Sequence, residues 1–383
     1  VKEFYILGNG GDWTENERSE WLKKITNLDE APDTEFLIGI PSGLSDDEKL
    51  KELLKIAEEG DATAQRYLGW IYYDGVICPK DLTHSAKWFK KSAEQGDAIA
   101  QIALSHFYSL GLGGIPKDIA EKLKWLTRAA KQGNANAQYI LGWIYYFPSD
   151  YVQDFEESYK WLLMAAEQGV AEAQDLLSNL YLRGLGVTKD VDEGMKWLIT
   201  AADQGHLEAQ KVLCYLYEND YEKYGVKDLA QAVRWNRVVA ERGDLGAIHS
   251  MAKFYEWGRG VAEDGNEAIK WYKRAIEQGD LSAMYLLAML YTDGCKGVSK
   301  DGARATKWLE KAADNGDLSS MHTLAFRYQY GEQGTPEDYV LAYKWNNIWF
   351  SKIDEDDPLQ TGTDNIEEQK KWFENFKKRM SKD

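Results

Sequence analysis

The chain has 383 residues, 44% hydrophobic, 13% aromatic and 28% charged, with 46 basic against 63 acidic side chains and a formal net charge of −17. That charge repels phosphate backbones and anionic lipid headgroups, which excludes nucleic acid and membrane surfaces as general partners. No run of 18 or more apolar residues occurs, so no membrane span is expected, and Cys78, Cys214 and Cys295 match neither a zinc site nor a disulfide framework.

Residues 1–44 lie outside any repeating pattern. Thr14 and Glu17 mark the start of a helix through Trp21 and Ile25, and the stretches EFYILG and EFLIGI on either side read as short strands. Ser45 followed by Glu48 is a capping box, and it opens a helix of about fourteen residues at Asp46.

From there the chain is periodic. Trp88, Trp125, Trp161, Trp197, Trp235, Trp271, Trp308 and Trp345 follow one another at steps of 37, 36, 36, 38, 36, 37 and 37 residues. Such spacing is that of a stack of equivalent units, each burying the same anchor against its neighbour. Seven residues before every ladder tryptophan stands an aspartate: Asp81, Asp118, Asp154, Asp190, Asp228, Asp264, Asp301 and Asp338. Its carboxylate is suited to accept the orphan N–H groups of a helix start. Eight residues after the tryptophan comes glycine, from Gly96 to Gly316, with Gly60 in the same register earlier; this is the residue that ends a helix in left-handed backbone. The aspartate-to-glycine stretch is helix B of each unit.

Helix A follows the glycine. Counted from it, offset four is Ala64 and its equivalents, with Ser320 closing the series. Offset eight is a large aliphatic (Leu68 to Leu324), offset nine is small (Gly69 to Ala325), and offset twelve is always tyrosine (Tyr72 to Tyr328). Offsets four, eight and twelve share one helix face, which makes it the packed face. The regularity is interrupted by Phe147–Pro148 at the end of one helix A, and by Asp220 with a longer loop before Asp228.

This unit resembles the Sel1-like repeat, a relative of the tetratricopeptide repeat. The segment AEAQDLLSNLYLRGLGVTKDVDEGMKWLITAADQG at 171–205 is similar to the family consensus, and the pattern runs from about residue 46 to 350. The resemblance implies an all-α fold, an α/α superhelical solenoid of about eight helix pairs with N- and C-terminal capping segments. The expected organisation is a non-repeat segment at 1–44, the solenoid at 45–351 and a C-terminal capping helix at 352–383, where Asp364 and Glu367 open a helix bearing Ile366, Trp372, Phe373, Phe376 and Met380. The resemblance further implies a monomeric, non-enzymatic scaffold that holds a protein or peptide in a concave groove lined by the A helices, with no cofactor or metal. The alternatives it leaves are an immunity protein that clamps a secreted toxin and an exported host-interaction factor. Location is open between bacterial periplasm or secretion and cytoplasm.

Catalytic signatures are few. The five histidines are scattered singly, and Ser250-x-x-Lys253 has the spacing of penicillin-recognising enzymes without their companion strings. With the core at offsets 4, 8, 9 and 12, the groove side of helix A falls near offsets 3, 6, 10 and 13–14. Those positions hold Arg66, Trp70, Tyr73, His106, Tyr139, Trp143, Tyr146 and Phe147 in the first three repeats. Tyr215, Lys253, Trp257, Phe326 and Tyr330 follow in later ones, after a polar interruption at Glu172, Asp175, Asn179 and Arg183. Aromatic residues on an open helix face are typical binding anchors, so these thirteen are the expected partner contacts. The alternative is that they pack between neighbouring A helices.

Overall fold

A computed structural model of the chain describes residues 45–75, 77–147, 153–219, 225–331 and 334–352. The segment expected at 1–44, all but the first residue of the one expected at 352–383, and the irregular stretches at 148–152 and 220–224 lie outside the described residues. Described residues form 17 α-helices and one isolated bridge, Cys295 to Val298. They group into two compact units divided between Ala209 and Gln210.

In the first unit the helices are α1 (Asp46–Glu58), α2 (Ala62–Asp74), α3 (Leu82–Glu94), α4 (Ala98–Leu110), α5 (Ile119–Lys131), α6 (Ala135–Tyr146), α7 (Phe155–Glu167), α8 (Ala171–Arg183) and α9 (Val191–Asp203). Helix α10 (Leu207–Asn219) contains the division. The second unit continues with α11 (Leu229–Glu241), α12 (Leu245–Trp257), α13 (Gly265–Glu277), α14 (Leu281–Asp293), α15 (Gly302–Asp314), α16 (Leu318–Tyr330) and α17 (Tyr339–Lys352). Even-numbered helices are A, odd-numbered ones B. From α1 to α9, and from α11 to α17, each helix packs on the next in sequence.

The repeat residues act as read from the sequence. Ser45 and Glu48 form a reciprocal capping box ahead of α1. Asp81 accepts the amides of Thr83 and His84, and the aspartates at the other seven equivalent positions cap their B helices by accepting two such amides, or one in the case of Asp190 and Asp301. Each of these aspartates also donates its own N–H to the carbonyl of the tyrosine at offset twelve, at 2.8–3.0 Å in all eight repeats. Aspartate and tyrosine therefore tie the end of one A helix to the start of the following B helix. The repeat glycines hold φ between 85° and 110°, backbone that side-chain-bearing residues avoid.

Packing follows the same register. Leu68, Leu104, Leu141, Leu177, Leu213, Met251, Leu287 and Leu324 are fully buried. The small residue at offset nine is a matter of contact distance. A Cβ on Gly69 would lie 2.6 Å from the Phe89 ring, and one on Gly142 would lie 2.5 Å from Leu162. Ser85 and Ser158 donate to the carbonyls of these two glycines at 2.7 Å, which pins the A and B helices of a repeat together. Ladder tryptophans Trp88, Trp125, Trp235 and Trp345 are buried and the other four half-buried, several under a cation three residues on, as with Lys91 over Trp88 at 4.4 Å.

Two further inter-repeat devices were not foreseen from the sequence. In the first unit, glutamines at offset five form a ladder: Gln65, Gln101, Gln138 and Gln174 each donate to a carbonyl of the preceding B helix. Each in turn accepts from a glutamine at the end of the next B helix, at 2.7–2.9 Å. The second device joins offset six of one repeat to offset one of the next, as in the Arg66–Asp97 pair at 2.7 Å.

Candidate partner-binding face

The A helices carry every residue expected to meet a partner, and the two units treat them differently. In the first unit the open-face expectation is corrected. Trp70, Tyr73, Tyr139 and Trp143 are 5%, 5%, 7% and 2% exposed. Consecutive A helices lie close enough for these rings to fill the space between them. Trp70 meets Phe89 of α3 edge-on at 5.1 Å and Tyr73 at 5.6 Å, and Tyr73 reaches Phe107 of α4 at 5.9 Å. Trp143 packs on Phe147 at 5.0 Å. Of the remaining residues, His106, Tyr146 and Phe147 are half-buried. The Tyr146 hydroxyl donates to Asn179 at 2.7 Å, so the polar fourth repeat is joined to the aromatic third. Helix α6 ends at Phe147 in extended backbone, where most repeats have a left-handed glycine.

In the second unit four of the expected aromatics stay open. Tyr215 is 66% exposed, Trp257 55%, Phe326 48% and Tyr330 53%. They stand at offset ten or fourteen on α10, α12 and α16. The structure brings Lys253 to 5.9 Å from the Trp257 ring and packs Phe326 on Tyr330 at 4.6 Å. Between α10 and α12, over α11, lies a cavity of about 360 Å³ that includes Tyr215 in its wall.

Polar and charged side chains on this side join repeats. Lys211 pairs with Asp244 at 2.8 Å and His249 with Asp280 at 2.7 Å. Burial pushes the Asp244 carboxyl up, yet the hydrogen bonds from Lys211 and the Ala247 amide outweigh it and hold the group below the usual carboxylate range. At the fourth repeat the polarity is reversed, with Asp175 at offset six and His206 at offset one, 3.9 Å apart. Burial, then the charges of Glu208 and Glu172, push Asp175 up to about 7. The sequence signal for these pairs was present in the recurring Asp61, Asp97, Asp244, Asp280 and Asp317, and for the ladder in the recurring Ala-Gln dipeptide. Among the described residues no cluster of three or more metal-ligating side chains forms, and no helix is long and apolar enough to cross a membrane.

The family model of the Sel1 repeat matches eight times in tandem: 62–97, 98–134, 135–170, 171–206, 207–244, 246–280, 281–317 and 318–345. The chain belongs to the Sel1 repeat family. Its fold is accordingly the all-α solenoid of eight Sel1 repeats. A protective antigen from uropathogenic Escherichia coli with the same fold is 32% identical, with a TM-score of 0.63, covering 80% of this chain and 64% of that one. This Sel1 array thus spans less than two thirds of the antigen's length. A Sel1 repeat protein from Oxalobacter formigenes is 30% identical with a TM-score of 0.52, covering 81% of this chain and 89% of that one. An immunity protein of Pseudomonas aeruginosa matches at 18% identity and a TM-score of 0.28, covering 57% of this chain and 81% of that one, a likeness too slight to bear on function. No curated protein matches the chain.

Proposed function

We propose that this Sel1 array is a non-enzymatic scaffold that binds a protein or peptide on the A-helix face of its second unit. The observation that carries the reading is the exposure of Tyr215, Trp257, Phe326 and Tyr330, when residues in the same or adjacent register are buried in the first unit. Exposed large aromatics lose apolar surface to water at roughly 25 cal/mol per Å², a cost that a partner recovers on docking. The pairing of Lys211 with Asp244 and of His249 with Asp280 supports a scaffold over a catalyst, because those side chains already serve to join repeats. Of the family alternatives, the likeness to a protective antigen favours an exported host-interaction role over toxin inhibition.

The test is a variant carrying Tyr215→Ala, Trp257→Ala, Phe326→Ala and Tyr330→Ala, compared with the wild-type chain in pull-downs from its own cell lysate and from host-cell extract. Helical content and melting should stay close to wild type, because these side chains are exposed, while a protein held by the wild type is lost. Retention of every wild-type partner by the variant would refute this assignment. A basic toxin as the retained partner would instead establish the inhibitor reading.

A further inference from the structure

The residue ten places after the repeat glycine is Trp70 in the first repeat, Trp143 in the third and Tyr215 in the fifth. The two tryptophans are buried in the space between neighbouring repeats, whereas Tyr215 is turned largely to solvent beside an open cavity. What differs is the volume around the ring. The residue after the ladder tryptophan is Phe89 or Leu162 in the filled slots and Asn236 in the open one. On the α12 side the wall includes Gly246 and Ser250, Cys214 and Val239 lie deeper on α10 and α11, and Lys211, Glu218 and Asp244 bring charge to the lining. Asn236 stands where the filled slots have Phe89 or Leu162, and Gly246 where they have Ile99 or Glu172, whereas Cys214 and Val239 are larger than Gly69 or Gly142 and Ser92 or Ala165; the tyrosine of the same register has not closed the gap.

We propose that this cavity is an anchor slot for a tryptophan side chain presented by a bound peptide segment, which takes the place that Trp70 and Trp143 occupy in their own repeats. The proposal deepens the scaffold reading and rests on it. Three observations select the occupant. A volume of about 360 Å³ accommodates an indole. Asn236 is 97% buried, and its amide nitrogen donates to the Ala232 carbonyl at 2.9 Å, which leaves the carboxamide oxygen open as an acceptor. The indole nitrogens of Trp70 and Trp143 have no hydrogen-bond partner in their slots; in the fifth-repeat slot an incoming indole N–H has one. An aliphatic side chain would fill the space and leave that oxygen without a donor, which is costly in a desolvated site. A charged side chain gains little, because the charges of the lining are already paired, Lys211 with Asp244 at 2.8 Å and Glu218 with Arg259 at 3.7 Å.

The test uses the full chain, isotope-labelled, and N-acetyl-L-tryptophanamide as probe, followed by NMR. Saturable shifts are expected at the Asn236 side-chain amide and at the backbone amides of Gly246, Ala247 and Ser250, with N-acetyl-L-leucinamide binding at least tenfold more weakly. Asn236→Leu restores the leucine found after other ladder tryptophans, and Ser250→Leu fills the slot from α12; each should abolish the shifts and keep the wild-type melting temperature or raise it. Absence of saturable shifts in the wild type, equal binding of the leucine amide, or unchanged binding in both filled variants would overturn the slot. Since the probe needs no natural partner, a failed slot with continued partner capture in the pull-down would leave the scaffold reading standing.

Discussion

Asp175 occupies the register that Arg66, Lys211 and His249 fill elsewhere, and its environment is the less forgiving one. Its side chain is mostly buried, Glu172 and Glu208 add like charge, and His206 Nδ1 lies 3.9 Å away while also receiving the Ala209 amide at 3.3 Å. Burial is the largest cause of a carboxyl raised to about 7 in the folded chain. An aspartate in unfolded chain titrates at about 3.9. Between those values the folded state holds a proton that the unfolded state releases, so this group's contribution to stability is complete below about pH 4 and is lost as pH rises through about 7. Unfolding free energies from urea titrations between pH 4 and 8 should therefore fall in the wild type relative to Asp175→Asn, by a few kcal/mol at roughly 1.4 kcal/mol per pKa unit. Parallel profiles for the two proteins would mean that Asp175 titrates normally.

At the level of the element, each B helix from α3 onward starts where an aspartate satisfies two kinds of backbone group at once. Its carboxylate accepts amides of the first turn, and its N–H closes on the carbonyl of the tyrosine that ends the preceding A helix. Asp118→Ala keeps the second bond and deletes the first, so it should cost about 1 kcal/mol, read as a lower urea midpoint with an unchanged slope. A loss below a few tenths of a kcal/mol would show that neighbouring repeats, and not the cap, decide where α5 begins. Caps were legible in the sequence because aspartate, glycine and tyrosine act within a dozen residues of one another. The A-helix cap Asp97 was missed because its second duty, pairing with Arg66 at offset six of the preceding repeat, joins residues some thirty positions apart.

Over the whole molecule, equivalent positions have been put to different uses. In the first unit Trp70 and Trp143 close the space between repeats, and the glutamine ladder runs beside them. In the second unit Gln210 keeps the ladder position on α10 and accepts from Arg242 at 3.0 Å, after which the position becomes Ile248, Met284 and Met321, and four aromatic rings on the A helices are exposed. Removing a buried aromatic side chain forfeits its burial and leaves a cavity, so Trp143→Ala should destabilise the chain by about 3–5 kcal/mol. Trp257→Ala, at an exposed position, should stay within about 0.5 kcal/mol of wild type in the same denaturation experiment. Equal losses for the two substitutions would erase the distinction between packing aromatics and surface aromatics on which the candidate face depends.

The repeat length, the helix boundaries and the packed face of each A helix were determined by the sequence alone, because caps, glycine stops and a four-residue apolar spacing are local properties of the backbone and of one helix surface. Whether a ring at offset ten is core or contact was decided only in three dimensions. Trp70 and Tyr215 occupy the same place in the repeat, and nothing local distinguishes them. Their burial depends on Phe89 or Asn236 from one neighbouring helix and on the next A helix beyond it, whose side chains set the width of the gap the ring must fill.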